Sequence, residues 1–204
     1  GDRKFNSYLQ NEREQILLTH PENKAPYNEA GPIWLRQRID TKKTPGAYRL
    51  VYNKGGYGLH MLRMMMYDFR RKDDSAFFAL MKDFVQTHKG RNATTEDFKQ
   101  ICSKHFNEDM GWFFDQWVYG TDVPKVNVQY SFTQKGSDPY IIIDVALERV
   151  PPAFRVWVPV ILRAQQAVMS GKFRVSGKGH FEVKLPAVPD SVEFHPLYSL
   201  LVEV

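Results

Sequence analysis

The 204-residue sequence has very little cysteine and no long apolar run, and each shortage excludes a class of protein. Cys102 is the single cysteine, which excludes an intramolecular disulfide and a cysteine-based zinc site. No stretch reaches the ~18 consecutive apolar residues of a membrane-spanning helix, and no signal peptide is visible. The chain begins with Gly1 rather than Met, so a targeting segment could have been removed. The compartment is therefore left open, export included.

Basic residues are in slight excess but are not concentrated. Lysine and arginine number 28 against 23 aspartates and glutamates, a net charge of +5. The densest basic group, residues 70–72, is followed at once by Asp73 and Asp74. Because a nucleic-acid interface needs basic side chains clustered on one face, the sequence does not favour a nucleic-acid partner.

The motifs that mark common catalytic centres are also missing. None of the six histidines belongs to an H-E-x-x-H sequence, and there is no calcium loop, phosphate-binding loop or G-x-S-x-G nucleophile elbow. We therefore predict no metal site in this chain. His105 lies on the apolar face of a predicted helix, where a hydrogen-bonded core histidine is the favoured interpretation.

Helical spacing of apolar residues extends to about residue 123. It predicts five helices, and a proline-rich loop over 21–46 follows the first of them. Thr94 and Asp97 have the spacing of a capping box at the start of the fourth helix. The aromatic run Trp112–Trp117 forms the fifth, and we interpret it as core rather than as a ligand platform.

After Pro124 the period changes to two, which predicts short strands. Pro159 suggests an edge or bulge position, residues 176–179 suggest a hairpin turn, and the final LLVEV reads as a strand. Regularly spaced strands with turn signals indicate a small antiparallel β-sandwich. The predicted fold class is α+β, with a helical region over 1–123 and a β-sandwich domain over 124–204.

One stretch, VYNKGGYGLHMLR at residues 51–63, permits two interpretations. Glycine is a poor helix former, yet three glycines stand near the start of a predicted helix. In the first interpretation they allow another element to pack closely on the helix backbone, and Tyr52 is a half-buried aromatic. In the second they leave room for a substrate beside Tyr52. A tyrosine phenol keeps its proton at neutral pH and can donate a hydrogen bond to a developing oxyanion.

Three stretches taken together resemble a known family. In order and spacing, VYNKGGYGLHMLR, FFALMKDFVQTHKGRNATTEDF and MGWFFDQWVYGTDVP resemble the aminopeptidase N family of zinc metallopeptidases, the gluzincin aminopeptidases. The resemblance implies the helical C-terminal part of a thermolysin-like catalytic domain followed by a β-sandwich. It implies that Tyr52 is the catalytic tyrosine, which stabilises the oxyanion, and that Tyr48, Gly55 and Gly56 line the substrate cleft.

The sequence departs from this family in its metal chemistry. The family binds zinc through H-E-x-x-H and a downstream Glu and uses the motif's own Glu as general base, but this chain has neither. Only 51 residues precede Tyr52, so we expect the family's zinc-binding Glu upstream of Gly1. We therefore expect this chain to be the C-terminal part of a zinc-dependent peptidase of the aminopeptidase class. Its zinc and much of its peptide-binding surface would lie in the missing N-terminal part, and the isolated chain would be inactive.

Two other classes of function stay open. A peptidase relative that has lost its zinc ligands can serve as a non-catalytic scaffold or interaction module, and the residues upstream of Gly1 would discriminate the two. The β-domain could instead bind carbohydrate through Trp157 or Tyr140. Burial of Trp157 is favoured, because its strand is apolar on both faces.

Overall fold

The computed structural model describes residues 2–19, 26–38, 48–164 and 167–203. The chain forms two compact units, Gly1–Asp122 and Val123–Val204. Described helices longer than one turn lie in the first unit, and the strands lie in the second. The predicted α+β class is confirmed. That the first unit belongs to a thermolysin-like peptidase domain, and that the second is a sandwich domain, stay predictions.

The helical unit follows the apolar periodicity closely. It contains α1 (Asp2–Leu17), two 3₁₀-helices (Tyr27–Ala30 and Ile33–Arg38), α2 (Tyr48–Met66), α3 (Ser75–His88), α4 (Thr95–Phe106) and α5 (Gly111–Trp117). The predicted 21–46 loop lies outside the described residues over 21–25 and 39–46, and its described part holds the two 3₁₀-helices. None of the helices in the described ranges is long and apolar enough to cross a membrane.

Local chemistry fixes the start of α4. The Thr94 hydroxyl accepts the Asp97 backbone N–H at 3.2 Å, and the Asp97 carboxylate accepts the Thr94 backbone N–H at 2.7 Å. This reciprocal arrangement satisfies two backbone donors that the first turn of a helix leaves free. The predicted capping box is therefore confirmed.

The described residues of the second unit form six antiparallel strands. They are β1 (Lys125–Lys135), β2 (Asp138–Glu148), β3 (Arg155–Ala164), β4 (Ala167–Ser176), β5 (Lys178–Lys184) and β6 (Ser191–Phe194), arranged in the order β1-β2-β5-β4-β3-β6. Buried residues of β2 and β3 supply the core of this unit, among them Ile141, Ile143, Val145, Val156, Val158 and Val160. The edge strands approach each other, because the Tyr130 and Phe194 ring centroids are 5.7 Å apart.

The predicted hairpin across residues 176–179 is wrong in its pairing. The turn is present at Gly177, which has a φ of +63°, but β4 and β5 pair only through Ser176 and Lys178. Instead, β5 pairs along its length with β2, and β4 pairs with β3. The sheet thus consists of two three-stranded halves joined at one residue pair, and its description as a sandwich stays a prediction.

Two smaller predictions about strands are also corrected. Pro159 lies in β3, which is an inner strand between β4 and β6. It lies just beyond Val160–Arg163, the part of β3 that pairs with β6, so its missing N–H costs no ladder bond there. The final LLVEV does not form a strand in its described part, where Glu203 makes one isolated bridge to Lys125.

Candidate functional site

One face of α2 is fully buried and fixes the helix in the helical unit. Its residues follow the spacing i, i+4, i+7, i+11 and i+14, which places side chains on one helix face. Each is at most 2% exposed: Leu50, Lys54, Tyr57, Met61 and Met64. The methionines thus anchor α2 in the core, and a lysine occupies a position that the pattern reserves for apolar residues.

Lys54 is a buried cation with a specific partner. Its Nζ donates a hydrogen bond to the backbone oxygen of Gly120 at 3.0 Å, shortly after the end of α5. Burial lowers the pKa of the Lys54 ammonium from its ordinary 10.5 to about 8, and the nearby charge of Asp122 opposes that effect. Lys54 therefore ties α2 to the segment that follows α5.

The same segment receives two further donors from distant parts of the chain. The Asn28 amide donates to the backbone oxygen of Thr121 at 2.9 Å, and Asn28 is itself buried. The Trp34 backbone N–H donates to the backbone oxygen of Val118 at 3.4 Å. With the Lys54 bond, three elements donate hydrogen bonds to the segment 118–122. The helix α2, which bears Tyr52, is thereby held against this segment.

Tyr52 lies two residues before Lys54 and points away from the core. It is the fifth residue of α2, and the residue is 76% exposed, so it is not the half-buried aromatic of the close-packing interpretation. The structure thus offers a phenol to solvent from a helix whose opposite face is locked. Tyr48 is the first residue of α2, and its side chain lies outside what the structure describes.

The three glycines of this stretch have different surroundings. A Cβ atom added at Gly55, Gly56 or Gly58 would meet nothing within 4 Å among the described residues. Close packing on the helix backbone is therefore not their role in the described part of the chain. Gly55 and Gly58 line a cavity of about 280 Å³, whereas Gly56 does not.

The walls of this cavity are apolar and aromatic. They include Leu59, Leu62, Phe98, Phe114 and Trp117, from α2, α4 and α5. The Phe98 and Phe114 rings stand edge to face with centroids 6.0 Å apart, which is a favourable arrangement. Thr94 and Thr95 supply the hydroxyl groups of the lining, and no charged residue belongs to it in the described ranges.

The aromatic run of α5 and His105, which the sequence analysis singled out, contact other residues of the helical unit. Of the aromatic run, Phe113, Phe114 and Trp117 are each 2% exposed, which confirms the core interpretation for them. His105 Nε2 lies 2.9 Å from the Asp83 carboxylate. That carboxylate also accepts Lys104 Nζ at 2.8 Å. The hydrogen bond from Lys104, and to a smaller extent the one from His105, lowers the pKa of Asp83 to about 2. This cluster links α3 to α4.

A zinc site requires several histidine, cysteine or carboxylate side chains close together. In residues 2–19, 26–38, 48–164 and 167–203, no three or more His, Cys, Asp or Glu side chains are grouped so that they could hold a metal ion. Cys102 is buried, and burial raises the pKa of its thiol to about 12, which disfavours the thiolate that a metal requires. The described residues therefore do not fit a zinc centre.

Sequence comparison and structure comparison give different results. No protein-family model matches the chain, and no curated protein sequence is significantly similar to it. The fold is similar to that of aminopeptidase A from Legionella pneumophila, solved in complex with aspartic acid. That alignment has a TM-score of 0.56 and 15% sequence identity, and it covers 80% of this chain and 18% of the other.

This neighbour supports the predicted resemblance at the level of fold. At 15% identity the similarity concerns the fold alone, and membership of the aminopeptidase N family stays a prediction. The chain spans about a fifth of the length of the aminopeptidase that it matches.

Proposed function

We propose that this chain is part of a peptidase of the aminopeptidase class in which Tyr52 stabilises the oxyanion formed during peptide hydrolysis. The observation that carries the proposal is the position of Tyr52: a phenol that is 76% exposed, on a helix whose other face is fixed by Lys54 and its apolar neighbours. The aminopeptidase fold of the structural neighbour supports it.

The chemistry requires a donor that is held in place before the reaction begins. When a nucleophile attacks a peptide carbonyl, negative charge develops on the carbonyl oxygen. A preorganised donor at 2.7–3.1 Å from that oxygen is typically worth about 3–4 kcal/mol of barrier. A tyrosine hydroxyl can donate such a hydrogen bond, and the buried stripe of α2 fixes the helix that bears Tyr52.

The remaining parts of the reaction would come from outside the described residues. We propose that the whole protein binds zinc and carries the general base, and that residues other than those described here supply both. This chain alone would then bind no zinc and hydrolyse no peptide. The peptide substrate would lie between Tyr52 and the parts that complete the site.

Removal of one hydroxyl group tests the role of Tyr52. In the complete protein, Tyr52→Phe is expected to lower kcat for aminoacyl-amide hydrolysis by two or more orders of magnitude, because one oxyanion donor is lost. Tyr130→Phe, at another exposed tyrosine, removes the same group elsewhere and should leave turnover unchanged. Near-normal turnover of Tyr52→Phe would contradict the proposal.

Elemental analysis distinguishes the peptidase from a non-catalytic scaffold. Zinc content and hydrolysis of a panel of aminoacyl amides would be measured for the complete protein and for this chain. Zinc and activity in the complete protein, with neither in the chain, support the peptidase. No zinc and no activity in the complete protein would favour a scaffold or interaction module.

A further inference from the structure

We infer that the cavity lined by Gly55 and Gly58 is a binding site for an apolar side chain of the peptide substrate, an inference that rests on the proposed peptidase function. The site is lined by glycines and leucines of α2 and by residues from α4 and α5. It is separate from the hydroxyl group of Tyr52, which the proposed function uses.

The glycines themselves point to space that is kept open. Glycine in a helix interior is unfavourable relative to alanine, and it is usually explained by close approach of another element. Here a Cβ at Gly55 or Gly58 would meet nothing within 4 Å, so no described residue uses the space that the missing side chains leave. Both glycines line the cavity of about 280 Å³.

The lining determines the chemistry of the occupant. The walls are mainly apolar and aromatic, and a charged side chain placed among them would lose its hydration without gaining a partner. The Thr94 hydroxyl is already used, since it donates to Asp97 Oδ2 at 2.6 Å and accepts the Asp97 N–H at 3.2 Å. An aliphatic or aromatic group is therefore favoured. The volume is just below the usual range for sites of drug-sized ligands, which suits one side chain.

The cavity lies beside Tyr52 on the surface of α2. Gly55 and Leu59, which line it, follow Tyr52 by three and seven residues, and residues at these intervals share one side of a helix. At 1.5 Å per residue they lie about 5 to 10 Å from Tyr52 along the axis. A peptide whose carbonyl meets the phenol is thus within reach of the cavity through one of its own side chains.

Binding of a single capped residue to this chain tests the inference. N-acetyl-L-phenylalanine amide would be titrated into the chain and followed by two-dimensional NMR, with N-acetylglycine amide as the probe that lacks a side chain. The phenylalanine probe is expected to give saturable shifts at Gly55, Gly58 and Leu59. The glycine probe should give none.

Two leucine substitutions provide a matched pair of variants. Gly58→Leu fills the cavity and should weaken the phenylalanine probe at least tenfold. Ala79→Leu, at an exposed position of α3 that does not line the cavity, should change binding less than twofold. Leucine is a good helix former, so both variants should fold, and far-UV circular dichroism checks this.

Several results would overturn the inference. They are shifts that do not saturate, equal shifts with the glycine probe, or undiminished binding in Gly58→Leu. These outcomes leave the role of Tyr52 untouched, because the titration involves neither hydrolysis nor its hydroxyl group. Conversely, normal turnover of Tyr52→Phe would remove the proposed function while saturable binding at the cavity still stood.

Discussion

Replacement of Lys54 by methionine tests whether α2 carries a buried charge. Lys54 is 2% exposed and hydrogen-bonded to the Gly120 carbonyl. Methionine has an unbranched side chain of similar length and carries no charge. The substitution removes one hydrogen bond and leaves a carbonyl without its donor, which costs about 1–3 kcal/mol. It also removes the cost of holding an ammonium group in an apolar site.

The cost of burying the Lys54 ammonium group follows from the difference between its folded and unfolded pKa. Each pH unit between the folded and unfolded pKa corresponds to about 1.4 kcal/mol. The interval from the ordinary 10.5 to about 8 therefore amounts to about 3 kcal/mol. At pH 7 this penalty is fully present in the wild type, because the group is protonated in both states. The two terms nearly cancel there, so Lys54→Met should lie within about 2 kcal/mol of the wild type.

The two proteins should diverge as the pH rises. Between about pH 8 and 10.5 the folded wild type releases the Lys54 proton before the unfolded chain does, so the unfolded state binds more protons and stability increases with pH. Lys54→Met has no such proton. The stability of the wild type relative to the variant should thus increase by about 3 kcal/mol between pH 7 and pH 11.

Urea denaturation followed at 222 nm, where the helical unit dominates the signal, measures this difference at each pH. The same change at exposed Lys82 on α3 controls for the loss of a charge and for the gain of a thioether. If the difference between the wild type and Lys54→Met varies by less than about 1 kcal/mol over the pH range, the buried-ammonium reasoning is refuted.

Two further predictions concern single sites in the helical unit. Cys102 should react with a thiol reagent at pH 8 only as fast as the protein unfolds, because burial raises its pKa to about 12. Stoichiometric labelling of the native protein within seconds would contradict this. Gly120→Ala should destabilise the protein by about 1–3 kcal/mol, since its Cβ would lie 2.9 and 2.7 Å from the backbone oxygens of Asp115 and Gln116. Gly56→Ala, where the space is open, should stabilise it by up to about 1 kcal/mol, and denaturation midpoints compare the two.

Features fixed by neighbouring residues could be predicted from the sequence. The capping box of α4 is one example, because Thr94 and Asp97 need only each other and the first helical turn. The change of period near residue 124 is another, since the last α-helix of the described residues ends at Trp117 and the first strand starts at Lys125. Both depend on residues within a few positions along the chain.

Lys54 could not be predicted in the same way. Its partner, the Gly120 carbonyl, is 66 residues away, and a lysine in a helix is ordinarily exposed. A signal was nevertheless present, since Lys54 falls between Leu50 and Tyr57 at the spacing of the buried face. Only the fold shows that this face meets a free carbonyl rather than solvent.

The pairing of β5 failed for a related reason. Residues 176–179 have the composition of a tight turn, and the turn at Gly177 does form. Yet the Gly177 carbonyl accepts the N–H of Leu147 in β2 at 2.7 Å, and its own N–H donates to Phe154 at 3.3 Å. Turn chemistry fixes a change of direction, whereas the strand that follows pairs according to partners distant in sequence.

The glycines of α2 show how far composition alone can guide the search for a site. As a sequence, Gly55, Gly56 and Gly58 are equivalent: three poor helix formers beside a candidate tyrosine. Their angular positions separate them, because Gly55 and Gly58 are three residues apart and share a helix face, whereas Gly56 is turned away from it. The difference acquires chemical meaning only when α4 and α5 close the other sides of the cavity. Substitution of Gly58 alone, with Ala79→Leu as the control, is therefore a sharper test of binding in the cavity than removal of all three glycines, which would change the helix and the cavity together.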